Sequence, residues 1–300
     1  MSAQQVLFDA PGPKAVARYR ILAAAGIALL IGILGFIGFR MYQKGQLTAE
    51  KWSPFIDPNT WTNYYIPGFL DTIQAAAIAI VMSMIFGLML AMGRMSDIKP
   101  VKWIFTAWVE FFRAVPVLIM MIFTFYYLSN SDWSPDNWNP FIGVIAGLVL
   151  YNSAVIGEII RNGVQSLPNG QREAGLAVGL SPSKTRRLIL VPQALTSMLP
   201  TLVSQVIVVL KDTALGYIIL YPELLTRARQ LGSAEANVLP AYIVAAVLFI
   251  VINYGLSRLA EYVENRQRAK NEGAAKKPNV NTAVPTEGGG ATGQVPGTVG

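Results

Sequence analysis

A chain of 300 residues with 53% hydrophobic and only 14% charged side chains is not an ordinary soluble globule, in which about a quarter of residues are charged. The absence of Cys and His removes disulfides, thiolate metal sites, the commonest general base and the simplest pH switch. A net charge of +7 would suit nucleic acid, but the charges flank apolar runs in a pattern that reports membrane topology instead.

Six stretches free of Asp, Glu, Lys and Arg, each 18 to 23 residues long, occupy 21–39, 72–93, 114–131, 137–157, 188–210 and 236–257. About 20 apolar residues in a helix cross the hydrocarbon core of a bilayer, so the sequence predicts an all-α integral membrane protein with six transmembrane helices. With an inside N-terminus and alternating connections, 18 of the 24 Lys and Arg lie inside and five outside, with Lys211 in neither group. The positive-inside bias places both termini in the cytoplasm.

In chain order, residues 1–20 are a short basic tail, and 21–39 is a retained anchor. Its apolar core is too long for a cleaved signal, and "GFRMYQKG" follows without a small-residue cleavage pattern. Residues 40–67 form an outer loop in which Trp61, Tyr64 and Tyr65 suit the membrane interface. The stretch "GRMSDIKPVKWIFTAWVEFFRAVP" reads as a basic turn and an interfacial helix, with Trp103, Phe111 and Phe112 against headgroups or neighbouring helices. Glu110 and Arg113 within it are three apart, the spacing of a structural ion pair. The outer loop "NSDWSPDNWNP" is short and turn-rich. Glu158 and Arg161, near the inner end of the fourth span, repeat the ion-pair spacing.

The segment "QREAGLAVGLSPSKTRRLILVPQAL" (171–195) carries two helices and a sharp turn. Pro168 starts the first helix, Gln171 to Val178 fill it, and Gly179 supplies a left-handed C-terminal position. Ser181 is the N-cap of the second, with Pro182 at its first position, and this helix should end before Pro192. Leu176, Val178 and Leu180 are too few for a core and suit a partner's groove; a solvated connector is the alternative.

In the fifth span, taken to begin near Pro200, Lys211 lies about 16 Å along the helix, near mid-membrane. A charge there costs about 2.5–3.5 kcal/mol. Lys211 and Asp212 are neighbours and point in different directions, so each needs another partner or a wet cavity. Either they line a substrate path with Thr213, where Lys211 could meet a carboxylate, or they fix helix packing. Asn152, Ser153, Ser204 and Gln205 are uncharged polar residues within spans. They either contact substrate or make interhelical hydrogen bonds, worth about 0.6 kcal/mol each. After the last span, "SRLAEYVENRQRAK" (257–270) should continue as a cytoplasmic helix, leading into a tail (266–300) expected to be disordered from residue 272. The chain has no G-x-x-x-x-G-K-[ST] phosphate cradle, no nucleophile with a His base and no carboxylate-rich metal cluster, so no catalytic residue, metal or cofactor is expected in it.

Glu173–Ala174–Gly175, three residues, Gly179, nine residues, then Ile189–Leu190–Val191–Pro192 resembles the "EAA" cytoplasmic loop of bacterial ABC importer permeases. Gly175 stands for the second Ala of that pattern and Val191 for its Leu. "VEFFRAVPVL" (109–118), "NSAVIGEIIRNGVQSLPNGQREA" (152–174), "LVPQALTSMLP" (190–200) and "LKDTAL" (210–215) are similar to the polar amino-acid uptake branch, most like its actinobacterial glutamate-uptake permeases. The resemblance covers roughly residues 65–265, and residues 21–39 resemble an extra N-terminal helix of some members. Val155 departs from an aromatic that many relatives carry. The Lys-Asp-Thr run also occurs in relatives that carry cationic amino acids, so Lys211 alone does not select glutamate.

The resemblance implies a permease domain over 68–265, in a bacterial plasma membrane, with a coupling loop at 166–195. It implies a second permease subunit, identical or not, an ATPase dimer that binds ATP and Mg, and an extracytoplasmic solute-binding protein. Glu173, Ala174, Gly175, Gly179 and Pro192 would then couple to the ATPase, Glu173 by a charge-assisted contact and Gly179 by the turn. Arg172, Lys184, Arg186 and Arg187 either add ATPase contacts or are an ordinary positive-inside cluster. Two other readings are an ion-gradient-driven transporter and a membrane scaffold or sensor that moves nothing.

Overall fold

The structure, a computed structural model, describes residues 12–132 and 134–275. The start of the N-terminal tail and residues 276–300 lie outside the described residues; of the stretch expected to be disordered from residue 272, residues 272–275 are instead helical. Apolar runs bounded by proline or charge become helices. Helix α1 (Pro13–Gln43) starts on proline, and its apolar side chains from Ile21 to Phe39 face outward, as suits a span surrounded by lipid.

Helix α2 (Ile66–Arg94) continues a short helical run from Pro58, so the span covers Pro58–Arg94 and starts well before the charge-free stretch at residue 72. A π-turn, Trp61–Tyr65, leads into it, and the Ile66 N–H reaches back to the Trp61 carbonyl. Pro67 follows and has no N–H to offer, so the wider turn absorbs the missing donor. Tyr65 is not an interfacial aromatic: it is 1% exposed, and its hydroxyl donates to the Ala241 carbonyl at 3.0 Å.

Helices α3 (Lys99–Ala114) and α4 (Val117–Ser129) meet at 98°. Pro116 forces the preceding Val115 into extended backbone, which breaks the helix there. Helix α4, 13 residues long, reaches only about 20 Å and cannot span alone. The third predicted span, 114–131, is therefore half of a bent pair. Among the described residues five helices are long and apolar enough to cross a membrane, and the bent pair brings the number to six where it is counted as one broken span. Helix α5 (Asn139–Gln165) packs most extensively against α2. On α2 that packing buries Ala75, Ala76, Ala79 and Ala91, small residues that let helix backbones approach closely.

The inner segment forms α6 (Asn169–Ala177), α7 (Pro182–Thr185), a π-turn (Arg186–Leu190) and α8 (Val191–Ser197). Helix α9 (Leu199–Asp212) runs on as a 3₁₀ helix to Ile219. The fifth span is thus Leu199–Ile219 rather than 188–210. Its expected first eleven residues belong to the loop, where Leu190, Val191 and Ala194 are buried by protein. Helix α10 (Leu224–Ala234) and α11 (Val238–Ala275) complete the order, and α11 carries the expected helix after the last span.

The two largest of four buried clusters hold the middle and one end of the bundle. Met121, Val144, Leu148, Val209 and Ile219 fill the middle, and Tyr65, Leu224, Leu231 and Ala241 fill the end next to α10. At that end Glu223, fully buried, caps α10 and accepts from the N–H groups of Leu225 (2.8 Å) and Thr226 (2.7 Å). Burial pushes its carboxyl up from 4.5 to about 7, against the opposing pull of these hydrogen bonds. A raised folded-state value favours the protonated form, so this group's contribution is complete below pH 4.5 and is lost as pH rises through about 7. Thermal stability in detergent should therefore fall between those pH values by at most about 3 kcal/mol on account of Glu223. The Glu223→Gln variant should lack that part of the slope; an identical slope in both proteins would refute the assignment.

Candidate coupling site

Helix α6 ends in a full Schellman turn: the Leu180 N–H reaches the Gly175 carbonyl at 3.2 Å and the Gly179 N–H the Leu176 carbonyl at 3.0 Å. Gly179 has φ +85°, and a β-carbon added there would meet nothing within 4 Å, so its requirement is conformational rather than steric. Ser181 caps α7, accepting the Lys184 N–H at 3.4 Å. Gly175 works differently. A β-carbon there would lie 2.5 Å from Thr185 Cγ2, so Gly175 is where α6 seats on α7. It is buried and faces into the loop.

The second loop helix does not stop before Pro192. The Val191 N–H bonds to the Arg186 carbonyl, and the chain passes through Pro192 into α8. This is the same π-turn-then-proline arrangement as at Pro67. Pro192 itself is exposed.

What the hairpin presents outward is Glu173, Ala174, Leu176 and Val178, the last 75% exposed. Glu173 makes no hydrogen bond or ion pair among the described residues. The hairpin thus exposes a carboxylate beside small and branched apolar side chains. Lys184 and Arg187 are also exposed, whereas Arg186 is turned inward.

The loop is anchored to the rest of the chain. Arg186 donates both terminal nitrogens to Asp97, Nη1 to Oδ1 at 2.9 Å and Nη2 to Oδ2 at 2.6 Å, a bidentate bond to the α2–α3 turn. That bond, helped by the charges of Arg186 and Arg172, holds the Asp97 carboxyl below the usual range. Gln193 donates to Gln171 at 3.0 Å across the hairpin.

One turn from Asp97, Arg94 is only 7% exposed and donates to Glu158 at 2.5 Å and to Glu110 at 2.9 Å. Glu158 also accepts from Arg161 at 2.8 Å, the pair whose spacing is visible in the sequence. Glu110 does not pair with Arg113. Its carboxylate turns to α2, where the buried Arg94 needs a second acceptor, while Arg113 lines an open groove with Tyr151 and Asn162. Sequence reasoning missed Arg94, which reads there as one more basic residue at the inner end of a span.

The candidate path residues separate. Asn152 is fully buried, donates to the Leu148 carbonyl at 2.8 Å and accepts from Gln205 at 2.7 Å, joining α5 to α9. Ser153, 3% exposed, bonds back to the Leu150 carbonyl. Thr213, 0% exposed, bonds to the Leu210 carbonyl. These three are hydrogen-bonded inside the fold, and Ser153 also lines an apolar groove with Met89 and Trp108. Lys211 is exposed and Asp212 half-buried, and neither forms an ion pair among the described residues. The packing explanation for them thus finds no partner on another helix. Thr201, Ser204 and Lys211, all exposed, recur at helical spacing along one face of α9.

A helical membrane bundle with an anchored hairpin on one side is the architecture of a transport permease. Over residues 83–269 the chain matches, and it belongs to, the family described as binding-protein-dependent transport system inner membrane component. It is 42% identical over 244 residues to the glutamate transport system permease protein GluD of Corynebacterium glutamicum, covering 81% of this chain and 88% of that one. It is 36% identical over 203 residues to the probable glutamine ABC transporter permease protein GlnP of Bacillus subtilis, covering 67% and 92%. Among solved structures, the crystal structure of an amino acid ABC transporter with histidines aligns at a TM-score of 0.63 and 28% identity, over 69% of this chain and 95% of that one.

Proposed function

We propose that this chain is the permease of an ATP-driven importer that brings a polar amino acid, glutamate, across the plasma membrane, with both termini in the cytoplasm. The observation that carries the reading is the hairpin: a rigid, anchored loop that holds an unpartnered Glu173 beside exposed Leu176 and Val178. ATP and Mg are handled by a separate ATPase dimer, a second permease completes the membrane unit, and an extracytoplasmic binding protein delivers cargo. This chain holds no cofactor and supplies no catalytic residue. Its task is mechanical. Helix α5 leads into the hairpin, α8 and α9 lead out of it, and Asp97 ties it to the α2–α3 turn. A push on the hairpin therefore reaches three parts of the bundle together.

Cargo choice rests on the likeness to the glutamate permease and on the exposed polar face of α9. A Lys facing lipid there would be costly, so the face belongs to a wet path or a subunit contact, and Lys211 on the path would bind a carboxylate. Labelled glutamate uptake by vesicles containing permease, ATPase and binding protein tests this. Lys211→Ala should lower uptake ten- to hundredfold, the worth of one charge-assisted hydrogen bond of about 1.5–3 kcal/mol, with the complex still assembled. Loss of assembly would assign Lys211 to the subunit contact. Uptake driven by an ion gradient without the ATPase would overturn the importer reading.

A further inference from the structure

Beside the hairpin, between the inner ends of α2 and α5, lies a cavity of about 400 Å³ with Arg94, Asp97, Lys102, Arg161, Arg172 and Arg186 in its walls. Arg94 and Arg161 are matched by Glu110 and Glu158, and Arg186 by Asp97. Lys102 and Arg172 are exposed and have no ion-pair partner among the described residues. The Arg186 Nε is buried without an acceptor. The cavity thus presents two cations without a carboxylate of their own, a set suited to the acceptor oxygens of a phosphate.

Its surroundings identify which phosphate. Helix α3 exposes Trp103, Ile104, Trp108 and Phe111, bulky apolar side chains that suit the bilayer interface. Lys102 precedes them directly and so sits at headgroup depth. An almost wholly apolar groove of about 370 Å³, lined by Phe86, Met89, Ile104 and Trp108, runs along α2, α3 and α5, the helices that also wall the cavity. None of the outward docking residues, Glu173, Leu176 or Val178, lines the cavity.

We infer that this cavity binds the headgroup of an anionic phospholipid of the inner leaflet, with an acyl chain in the neighbouring groove, and that the lipid braces the α2–α3 turn against the hairpin. The inference rests on the cytoplasmic placement of the hairpin proposed above. Basic pockets between the inner ends of membrane helices hold such headgroups, at a strength of about 1 kcal/mol for each cation near the surface, or roughly fivefold in affinity.

The assembled importer in detergent, titrated with dioctanoyl phosphatidylglycerol and dioctanoyl phosphatidylcholine, tests it, with bound lipid counted by native mass spectrometry. Phosphatidylglycerol should be retained and phosphatidylcholine not. The Lys102→Gln/Arg172→Gln variant should bind phosphatidylglycerol about 25-fold more weakly, and Lys102→Arg should bind it as the parent does. Equal binding by parent and double variant overturns the proposal. Inorganic phosphate binding as tightly as the lipid overturns it in favour of a soluble anion. A double variant that keeps the lipid and sheds the ATPase overturns it in favour of a protein contact. The lipid count is independent of transport, so uptake without the ATPase would sink the importer reading and leave the lipid site standing.

Discussion

Glu173→Lys is expected to abolish substrate-stimulated ATP hydrolysis by the reconstituted importer while the permease stays folded and inserted. The separation of these effects follows from where the side chain lies. Glu173 is exposed on α6 with no partner of its own among the described residues, so its replacement disturbs nothing inside the chain. Surface changes of that kind alter stability by about 0.5 kcal/mol or less. At a docked interface the same carboxylate becomes a desolvated charge. Loss of one member of a buried, hydrogen-bonded charge pair costs about 2–5 kcal/mol, and a Lys adds repulsion toward the cation it replaces as partner. ATP hydrolysis in vesicles, measured with and without loaded binding protein, reads the coupling directly. Stimulation equal to that of the parent would remove Glu173 from the coupling surface, whatever its position in the motif.

The hairpin was the most legible part of the chain because its rules are local. The Pro168 start, the left-handed Gly179 and the Ser181 cap each depend on a few adjacent residues, and the structure places each as expected. Span boundaries were less legible. A charge-free run shows that a segment can be buried without saying whether lipid or protein buries it. Within 188–198, Leu190, Val191 and Ala194 are buried by protein rather than lipid, and Asp71 sits inside the second span without ending it. Ion pairs follow the same division. Three-residue spacing finds Glu158 with Arg161 on one helix, but it also suggests Arg113 for Glu110, whose true partner is 16 residues away on α2. No periodicity could bring Arg94 to Glu158, 64 residues distant, or Arg186 to Asp97, 89 residues distant. The fate of Asn152 was likewise set by a Gln on another helix.

Arg94 carries the second large effect. Arg94→Met should destabilise the permease by about 3 kcal/mol, the lower end of the cost of breaking a buried pair. Two features keep it at that end. Glu158, with 14% of its side chain exposed, retains Arg161, and Glu110, with 58% exposed, can return to water. An order of effects follows. Glu110→Gln should change stability by less than about 1 kcal/mol, as an exposed partner does. Arg94→Met/Glu158→Gln should be more stable than Arg94→Met alone, because Glu158, the more buried of the two, keeps only one of its two cations, whereas the quarter-exposed Arg161 can turn to water. Thermal unfolding of the four proteins in one detergent measures the order. A double variant less stable than Arg94→Met would mean that Glu158 serves mainly Arg161. The tie between α2 and α5 would then rest on packing of their small residues rather than on charge.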